Sequence, residues 1–191
     1  MRVVQNEEEL LSEAPKAMSE AQNNFSNPQV YLEKYLSSIK HIEAQIIRDS
    51  HRNGKVLDIR DCTMQHNHQK FIEETATLPP KIAEKITQYA EAIMEHSEYE
   101  GIGTIEFAYD PDSKKIYFLE VNPRVQVERN VSSLRFLKDG FPLNLLEEQI
   151  RIAQGESIEF DEYKEDPAAA HVIQFRINAV YPNEGFAASA G

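Results

Sequence analysis

The chain has 191 residues, of which 27% are charged and 41% hydrophobic, and its formal net charge is −12. This length allows one substantial domain or two small ones. The negative net charge argues against a nucleic-acid backbone as partner, because the sequence has no stripe of basic residues that could displace its counterions. No apolar run reaches membrane-spanning length, and residues 1–20 lack a signal-peptide pattern. The single cysteine, Cys62, fits a reducing compartment. We therefore expect a cytoplasmic protein that binds neither membrane nor nucleic acid.

The first half of the chain alternates predicted helices and strands. Residues 6–20 favour a helix that Pro15 interrupts, and residues 30–35 and 41–48 favour strands. A polar turn at 49–54 is followed by extended structure over 56–60. The weak apolar stripe of the first helix comprises Leu10, Leu11, Ala14 and Met18. A clear amphipathic helix follows over 80–96, and its expected buried stripe comprises Ile82, Ile86, Tyr89, Ala90, Ile93 and Met94.

The second half begins with a predicted β-hairpin, whose strands at 104–109 and 116–121 are joined by a turn over 110–115. Residues 142–154 favour a second helix that stops at Gly155. Its expected inward side chains are Leu143, Leu146, Ile150 and Ala153. An acidic loop over 156–166 and a final strand over 171–179 complete the pattern. The fold class that follows is α+β with mostly antiparallel pairing.

The hairpin brings two carboxylates together. Folding about Ser113 places Glu106 opposite Glu120, and facing like charges destabilise a strand pair. A divalent cation would remove the conflict, and Asn122 lies on the same face to supply another oxygen. For the pair alone, two solvated side chains on an exposed sheet face are the favoured alternative.

A row of varied polar side chains extends this face. The string Glu120-Val-Asn122-Pro-Arg124-Val-Gln126-Val-Glu128 alternates strictly, which predicts an extended segment with its five polar members on one side. Two carboxylates, two amides and a guanidinium suit a metal and an anionic substrate. With this row included, a functional interpretation of the hairpin becomes the favoured one.

A second polar cluster covers residues 60–70. Its Gln, His and Lys donors could hold phosphate or ribose oxygens, although by itself a polar connecting loop is the favoured account. His66 and His68 lack further metal ligands at a typical spacing. His41, which opens a strand, is by itself more typical of a structural histidine.

Taken in order, these segments resemble the ATP-grasp part of biotin carboxylase, the ATP-dependent component of acetyl-CoA, propionyl-CoA, pyruvate and urea carboxylases. The string over 120–128 is its most specific match, and Glu33-Lys34-Tyr35 alone would be a weak one. Seven ordered blocks argue strongly against chance convergence. The blocks cover residues 30–36, 41–45, 60–70, 103–107, 118–128, 148–153 and 175–179.

The resemblance implies an ATP-grasp fold, a predominantly antiparallel sheet flanked by helices and incomplete at both ends. Residues 1–36 would be a remnant of the lid subdomain, 37–170 the catalytic subdomain and 171–191 the start of the C-terminal domain. The family's glycine-rich phosphate loop would precede Met1. We therefore expect a central portion of the enzyme, with little or no turnover by itself, because the triphosphate would lack its backbone cradle.

The resemblance also implies a reaction. The γ-phosphate of ATP passes to bicarbonate to give carboxyphosphate, and the resulting CO₂ is captured by the ureido nitrogen of biotin. The implied cofactors are ATP, one or two Mg²⁺ or Mn²⁺ ions, and biotin as a carrier-bound substrate. The implied partners are a biotin carboxyl carrier protein or domain, a carboxyltransferase component and, in a homodimer, a second copy.

Site roles follow from the resemblance residue by residue. ATP contacts are implied for Glu33, Lys34, Tyr35 and Leu36 at the adenine, for His41, Gln65 and His68 at the ribose and phosphates, and for Glu106 and Glu120. The implied metal ligands are Glu106, Glu120 and Asn122. The implied bicarbonate pocket comprises Lys70, Arg124, Gln126 and the Val127 amide. The implied catalytic residues are Arg124, Glu128 as the base that deprotonates bicarbonate, and Arg176 as the guanidinium that steadies the biotin enolate.

The resemblance weakens directly after the proposed base. The family usually has Glu-His-Pro-Val-Thr-Glu where this chain has Glu128-Arg-Asn-Val-Ser-Ser133, and the stretch over 132–142 is several residues longer. Two alternatives therefore stand beside a biotin carboxylase. One is a non-catalytic ATP-grasp relic that binds nucleotide or serves as an interaction module. The other is a different ATP-grasp ligase, such as a carbamoyl-phosphate synthetase half.

Overall fold

A computed structural model describes residues 2–66, 69–185 and 187–189. The chain divides into two compact units, Met1–Ser37 and Ser38–Gly191. Among the helices of the described ranges, none is long and apolar enough to span a membrane. The predicted assignment to three subdomains stays a prediction.

The first unit contains a single long helix, α1 (Glu7–Phe25). The Asn6 side chain caps it by accepting a hydrogen bond from the Glu9 amide at 2.9 Å. The predicted interruption at Pro15 is wrong, because a proline removes one N–H donor while the other bonds of this 19-residue helix continue. None of its side chains is buried, so the predicted apolar stripe faces no core within this unit.

The predicted strand over 30–35 is also wrong, because residues 27–36 form no regular element. A strand needs a neighbour to complete its hydrogen bonds, and the described part of the first unit contains no other extended segment. Val30, Tyr31, Leu32 and Tyr35 are all exposed.

The second unit is built on a six-stranded antiparallel sheet. Its strands are β1 (Lys40–Arg48), β2 (Gly54–His66), β3 (Gln69–Thr75), β4 (Gly101–Asp110), β5 (Lys115–Asn122) and β9 (Ile173–Phe175). They lie in the order β5-β4-β1-β2-β3-β9. The predicted loop over 60–70 is wrong, because β2 continues to His66 and β3 begins at Gln69. The strand predicted over 171–179 is shorter than expected, because β9 covers only Ile173–Phe175.

Helix α2 (Pro80–His96) covers one face of this sheet, with the bounds expected from its pattern. Its buried side chains Ile82, Ile86, Ala90 and Met94 pack on Ile42, Ala44, Ile46, Ile105, Phe107 and Tyr109. Tyr89 was expected inside but is exposed, and the Lys85 ammonium lies 5.7 Å from the centroid of its ring. The opposite face of the sheet carries polar side chains beside a second apolar cluster, in which Ile47 and Ile102 pack with Phe136, Leu143 and Leu145.

The hairpin of β4 and β5 has the predicted pair Glu106 and Glu120 directly opposite each other. The turn itself lies slightly earlier than predicted, since Asp110 pairs with Lys115. A β-bulge between Glu106 and Phe107 compensates for this offset. The carboxylate pairing inferred from the sequence is therefore confirmed.

A smaller region follows the hairpin and was only partly anticipated. It contains the short helix α3 (Arg129–Ser133), the strands β6 (Phe136–Lys138), β7 (Phe141–Pro142) and β8 (Lys164–Glu165), and the helix α4 (Leu145–Ala153). The strands form a three-stranded sheet in the order β7-β6-β8. Further along, β10 (Val180–Tyr181) pairs with β11 (Ala187–Ala188).

Of the side chains expected to face inward, Leu143 is buried but lies before the start of α4, whereas Leu146, Ile150 and Ala153 are exposed, so the predicted face of the helix itself is wrong. The buried side chains of the helix are instead Leu145, Glu148 and Ile152. The reason is the carboxylate of Glu148, which accepts hydrogen bonds from the Tyr163 hydroxyl at 2.7 Å and the Lys138 ammonium at 2.9 Å. A buried polar side chain with such partners turns the helix away from the face that hydrophobicity alone indicates. The predicted stop at Gly155 agrees with its left-handed φ of +83°.

Replacement of Glu148 by alanine is expected to destabilise the second unit by about 3 kcal/mol, because the buried Tyr163 hydroxyl loses its acceptor and the Lys138 ammonium keeps the longer contact with the exposed Glu162, at 3.3 Å. The neighbouring exposed Glu147 offers a matched control, and Glu147→Ala should change stability by no more than about 0.5 kcal/mol. Urea unfolding of both variants measures the difference. Equal effects would contradict a stabilising role for the buried carboxylate.

Candidate active site

Two rows of polar side chains cross the sheet on the face opposite α2. Strand register aligns Arg60 with Glu43, Glu43 with Glu106, and Glu106 with Glu120, across β2, β1, β4 and β5. The period-two alternation of strands places these residues on one face. The adjacent row comprises Asp58, Gln45, Thr104 and Asn122.

Arg60 and Glu43 form a fully buried ion pair at the inner end of the first row. The guanidinium Nη2 lies 3.0 Å from Glu43 Oε2, and both side chains have 0% exposure. The remaining guanidinium hydrogens reach neutral oxygens, which are Gln45 Oε1, Ser132 Oγ, Thr104 Oγ1 and Gln126 Oε1. The burial of this charge is therefore compensated by hydrogen bonds.

Lys70 brings three carboxylates to one point. Its ammonium contacts Glu43, lies 3.0 Å from Glu106 Oε1 and lies 2.8 Å from Glu128 Oε1. Burial opposes the charged form, but the attraction of Glu43 and Glu128 outweighs it and raises the pKa of Lys70. The ammonium therefore stays protonated throughout the physiological range.

His41 adds a second cation beside Glu106. Its Nε2 lies 2.6 Å from Glu106 Oε2 and 3.4 Å from Glu43 Oε1. Burial lowers the pKa of an imidazole, but the hydrogen bonds to Glu106 and Glu43 outweigh this effect and raise the pKa of His41 to about 9. His41 thus has two carboxylate partners, as expected of a satisfied structural histidine, and its implied place at the ribose and phosphates stays a prediction.

The alternating string predicted that Glu128 lies on an extended strand, and this prediction is wrong. Strand β5 ends at Asn122, and Glu128 stands directly before α3. Proline at 123 cannot donate to a strand ladder, which suits the end of the strand at this point. Glu128 is nevertheless buried in the site, with its Oε2 3.2 Å from Arg176 Nη2.

Glu73 shares the guanidinium of Arg176. Arg176 Nη2 lies 2.8 Å from Glu73 Oε1, and the Glu73 side chain is fully buried. Burial raises the pKa of Glu73 against the attraction of Arg176. Arg176 is thus held between two carboxylates, on the segment that follows β9.

The predicted metal ligands lie together at the outer end of the two rows. Asn122 Nδ2 donates to Glu106 Oε1 at 2.9 Å and to Glu120 Oε1 at 3.2 Å. Burial raises the pKa of Glu106, but its bond to His41 outweighs this and lowers it, so the group is ionised. Two opposed carboxylates joined by an amide are a donor set that fits Mg²⁺ or Mn²⁺, with the amide turned to present its oxygen.

A second set of potential ligands is His41, Glu43 and Glu106, whose ligand atoms lie within 4.8 Å of one another. A third set joins Glu43 and Glu128 to the buried Cys62. In both sets Glu43 already has Arg60 and Lys70 as counter-charges, which leaves little need for another cation. The burial of Cys62 and the neighbouring Glu43 raise the pKa of its thiol, which disfavours the thiolate that metals bind.

Several predicted site residues lie at the margin of this cluster. Arg124 is exposed and donates to Asn122 Oδ1 at 3.3 Å, and the Val127 carbonyl accepts from Gln174. Gln65 pairs with Lys70 across β2 and β3, and its amide donates to the Cys62 carbonyl.

His68 lies outside the described residues. Glu33, Lys34, Tyr35 and Leu36 belong to the first unit, and their place at a nucleotide stays a prediction.

Sequence reasoning assigned no role to Arg60, Glu43 or Glu73, although the structure places them in the site. Period-two spacing on a buried strand, His41-Ile-Glu43-Ala-Gln45, was the available signal for Glu43. Charged residues on a fully buried strand need partners, and this requirement points to a polar network.

Asp58 occupies the second row beneath this network. Burial raises its pKa to about 6, despite the nearby guanidinium groups of Arg135 and Arg60 and hydrogen bonds from Ile59 and Ser132. Its Oδ2 is buried and has no hydrogen-bond partner among residues 2–66, 69–185 and 187–189.

Comparison with known proteins gives a consistent set of relatives. Residues 1–160 match the family model described as carbamoyl-phosphate synthase L chain, ATP binding domain. The chain is 39% identical, over an alignment of 186 residues, to the biotin carboxylase of Pseudomonas aeruginosa, and this alignment covers 95% of the chain and 39% of that relative.

Solved structures give the same result. A biotin carboxylase from Campylobacter jejuni, in a β-γ-ATP complex, is 36% identical with a TM-score of 0.85, and the match covers 98% of this chain and 41% of that one. The biotin carboxylase domain dimer of Hydrogenobacter thermophilus 2-oxoglutarate carboxylase, with MgADP, ADP and bicarbonate, is 34% identical with a TM-score of 0.85, covering 98% and 40%. The expected ATP-grasp fold is confirmed, and the chain spans about two fifths of the relatives it matches.

Asp58→Asn is expected to stabilise the protein at pH 8 and to have little effect at pH 4. The folded state binds the Asp58 proton more tightly than the unfolded chain does. The contribution of this proton to the free energy of unfolding is therefore complete below about pH 3.9 and is lost as the pH rises through about 6. Asparagine has no such proton to lose, and the gain at pH 8 should be up to about 3 kcal/mol. Urea unfolding at both pH values measures it.

Asp49→Asn is the matched control with the opposite sign. Burial raises the pKa of Asp49, but hydrogen bonds from Ile158, Asn53 and His51 outweigh it and hold the pKa below its usual range. This variant should therefore lose stability at pH 8 and lose less at low pH. A gain for both variants, or a gain for Asp58→Asn that does not depend on pH, would contradict the assignment.

Proposed function

We propose that this chain, which belongs to the family of carbamoyl-phosphate synthase L chain ATP-binding domains, is the ATP-grasp part of a biotin carboxylase. The polypeptide that contains it would transfer the γ-phosphate of ATP to bicarbonate and carboxylate biotin through carboxyphosphate. The observation that carries the proposal is the meeting of Lys70, Glu128 and Arg176 beside the Glu106, Glu120 and Asn122 group. Relatives named as biotin carboxylases support the choice of reaction.

Glu106, Glu120 and Asn122 would hold Mg²⁺ or Mn²⁺ with the nucleotide. The bound ion would neutralise phosphate oxygens as phosphoryl transfer proceeds. His41, protonated because its pKa is about 9, lies beside Glu106 and would add positive charge near the ribose and phosphates. Gln65, His68 and the adenine segment Glu33–Leu36 would complete the nucleotide site.

Bicarbonate would bind beside the metal group. Lys70, Arg124, Gln126 and the Val127 amide supply donors, and an arginine fork can bond two oxygens of a planar anion at once. Glu128 lies 2.8 Å from Lys70 and would accept the bicarbonate proton as the catalytic base. Arg176, in contact with Glu128 and Glu73, would steady the biotin enolate.

The partners of the whole enzyme follow from this role. We propose a biotin carboxyl carrier protein or domain, a carboxyltransferase component and a homodimer, in the cytoplasm. The dimeric domain of the Hydrogenobacter thermophilus relative supports the homodimer. The single cysteine among 191 residues supports a reducing compartment.

Mg-ADP is expected to raise the melting temperature of the chain, because a ligand that binds only the folded state stabilises it by mass action. Glu120→Gln should abolish this rise, since an amide binds a hard cation weakly compared with a carboxylate. Differential scanning fluorimetry with ADP, with and without MgCl₂, measures the effect.

Glu91→Gln is the matched control, because Glu91 is exposed on α2, the helix that covers the other face of the sheet. This variant should respond to Mg-ADP like the native chain. Absence of a magnesium-linked rise in the native chain would count against the metal site and favour a non-catalytic relic that serves as an interaction module.

ATP hydrolysis by the chain is expected to be slow and to rise with bicarbonate and free biotin. Arg176→Ala should remove the biotin-dependent part, whereas Arg52→Ala, at an exposed turn, should retain it. A coupled assay of ADP release measures both. Hydrolysis that responds to bicarbonate and ammonia but not to biotin would favour a carbamoyl-phosphate synthetase reaction instead.

A further inference from the structure

Arg60 is buried more deeply than any residue proposed to touch substrate. Its side chain has 0% exposure and its guanidinium contacts five side chains from four segments. Only Glu43 among these carries a charge, so the other four contacts do not serve charge neutralisation. Their common property is an oxygen that accepts a hydrogen bond.

One of those oxygens belongs to Gln126, a residue of the proposed bicarbonate pocket. Arg60 Nη2 donates to Gln126 Oε1 at 3.1 Å, and Gln126 Nε2 donates to Glu106 Oε1 at 3.0 Å. Gln126 is 5% exposed, so water has little access to either end of its amide. The amide spans the gap between the buried guanidinium and the proposed metal group.

A guanidinium has only donors, so it fixes which way this amide points. The oxygen of Gln126 must face Arg60, and the nitrogen must face the carboxylate side of the site. The reversed amide would set two donors against each other and leave Glu106 facing an oxygen.

We infer that Arg60 is a positioning residue that orients Gln126 so that its amide presents an N–H donor to bicarbonate. The inference rests on the proposed function, because the anion is the substrate assigned to this pocket. Arg60 is in turn fixed by Ser132 Oγ at 3.0 Å and Gln45 Oε1 at 2.6 Å, both on Nη1. A lysine could pair with Glu43 but could not span these acceptors and Gln126 together.

Bicarbonate binding to the chain tests the inference. Titration with sodium bicarbonate at pH 8, against sodium chloride at equal ionic strength, is followed through the side-chain amide signals of Gln126 in NMR spectra with Mg-ADP present. Arg60→Lys keeps the buried charge and should weaken bicarbonate binding at least tenfold while the melting response to Mg-ADP is retained. Ile86→Val, a conservative change in the buried face of α2 on the other side of the sheet, should alter neither response.

Gln126→Met provides a second variant should Arg60→Lys fail to fold. Methionine has a similar length and no charge, but it offers neither an acceptor to Arg60 nor an N–H to the anion, and Arg60 Nη2 keeps Glu43 and Thr104 as acceptors. This variant should fold, retain the melting response to Mg-ADP and lose bicarbonate binding, as followed through backbone amides near the site. Bicarbonate binding at the native affinity would overturn the inference.

The remaining outcomes separate three failures. Equal loss of bicarbonate and Mg-ADP binding in Arg60→Lys would reduce Arg60 to a structural residue, and unchanged binding of both would also overturn the inference. A native chain that binds Mg-ADP but not bicarbonate would refute the anion pocket itself. A native chain that binds neither would refute the proposed function.

Discussion

The buried ion pair between Arg60 and Glu43 is the interaction on which the polar face of the sheet depends. A guanidinium enclosed between strands and α3 would cost several kcal/mol without its carboxylate. The second oxygen of Glu43 contacts Lys70 and lies 3.4 Å from His41, and Lys70 also reaches Glu106 and Glu128. Lys70 and His41 lie between the carboxylates of the first row, and Arg176 contacts Glu128, so Glu106 and Glu128 are each held by a charge of the opposite sign.

Local patterns predicted the parts of this site that short-range geometry controls. The pairing of Glu106 with Glu120 follows from a hairpin turn, and α2 follows from its apolar period. The rotation of α4 could not be predicted in this way. Glu148 is a polar residue inside a core, and its partners Lys138 and Tyr163 come from segments whose position only the folded chain defines.

Members of the polar string over 120–128 meet in the site as predicted, but the string does not form the single strand that its alternation predicted. Alternation predicted one straight strand, but β5 ends at Asn122 and the chain turns before α3. Gln126 and Glu128 still enter the site because Arg60, Lys70 and Arg176 attract them there. The sequence identified Gln126 and Glu128 but not Arg60, the partner of Gln126, because the contact between them joins segments that only the folded chain brings together.

The buried thiol of Cys62 gives the sheet an internal reporter. It lies on β2 near the ion pair and Lys70, and its raised pKa keeps it in the unreactive thiol form while the sheet is closed. Alkylation must therefore wait for β2 to open, and no other cysteine in the sequence competes for the reagent. The labelling rate under native conditions would measure how often the centre of the site opens, a quantity distinct from the stability of the whole fold.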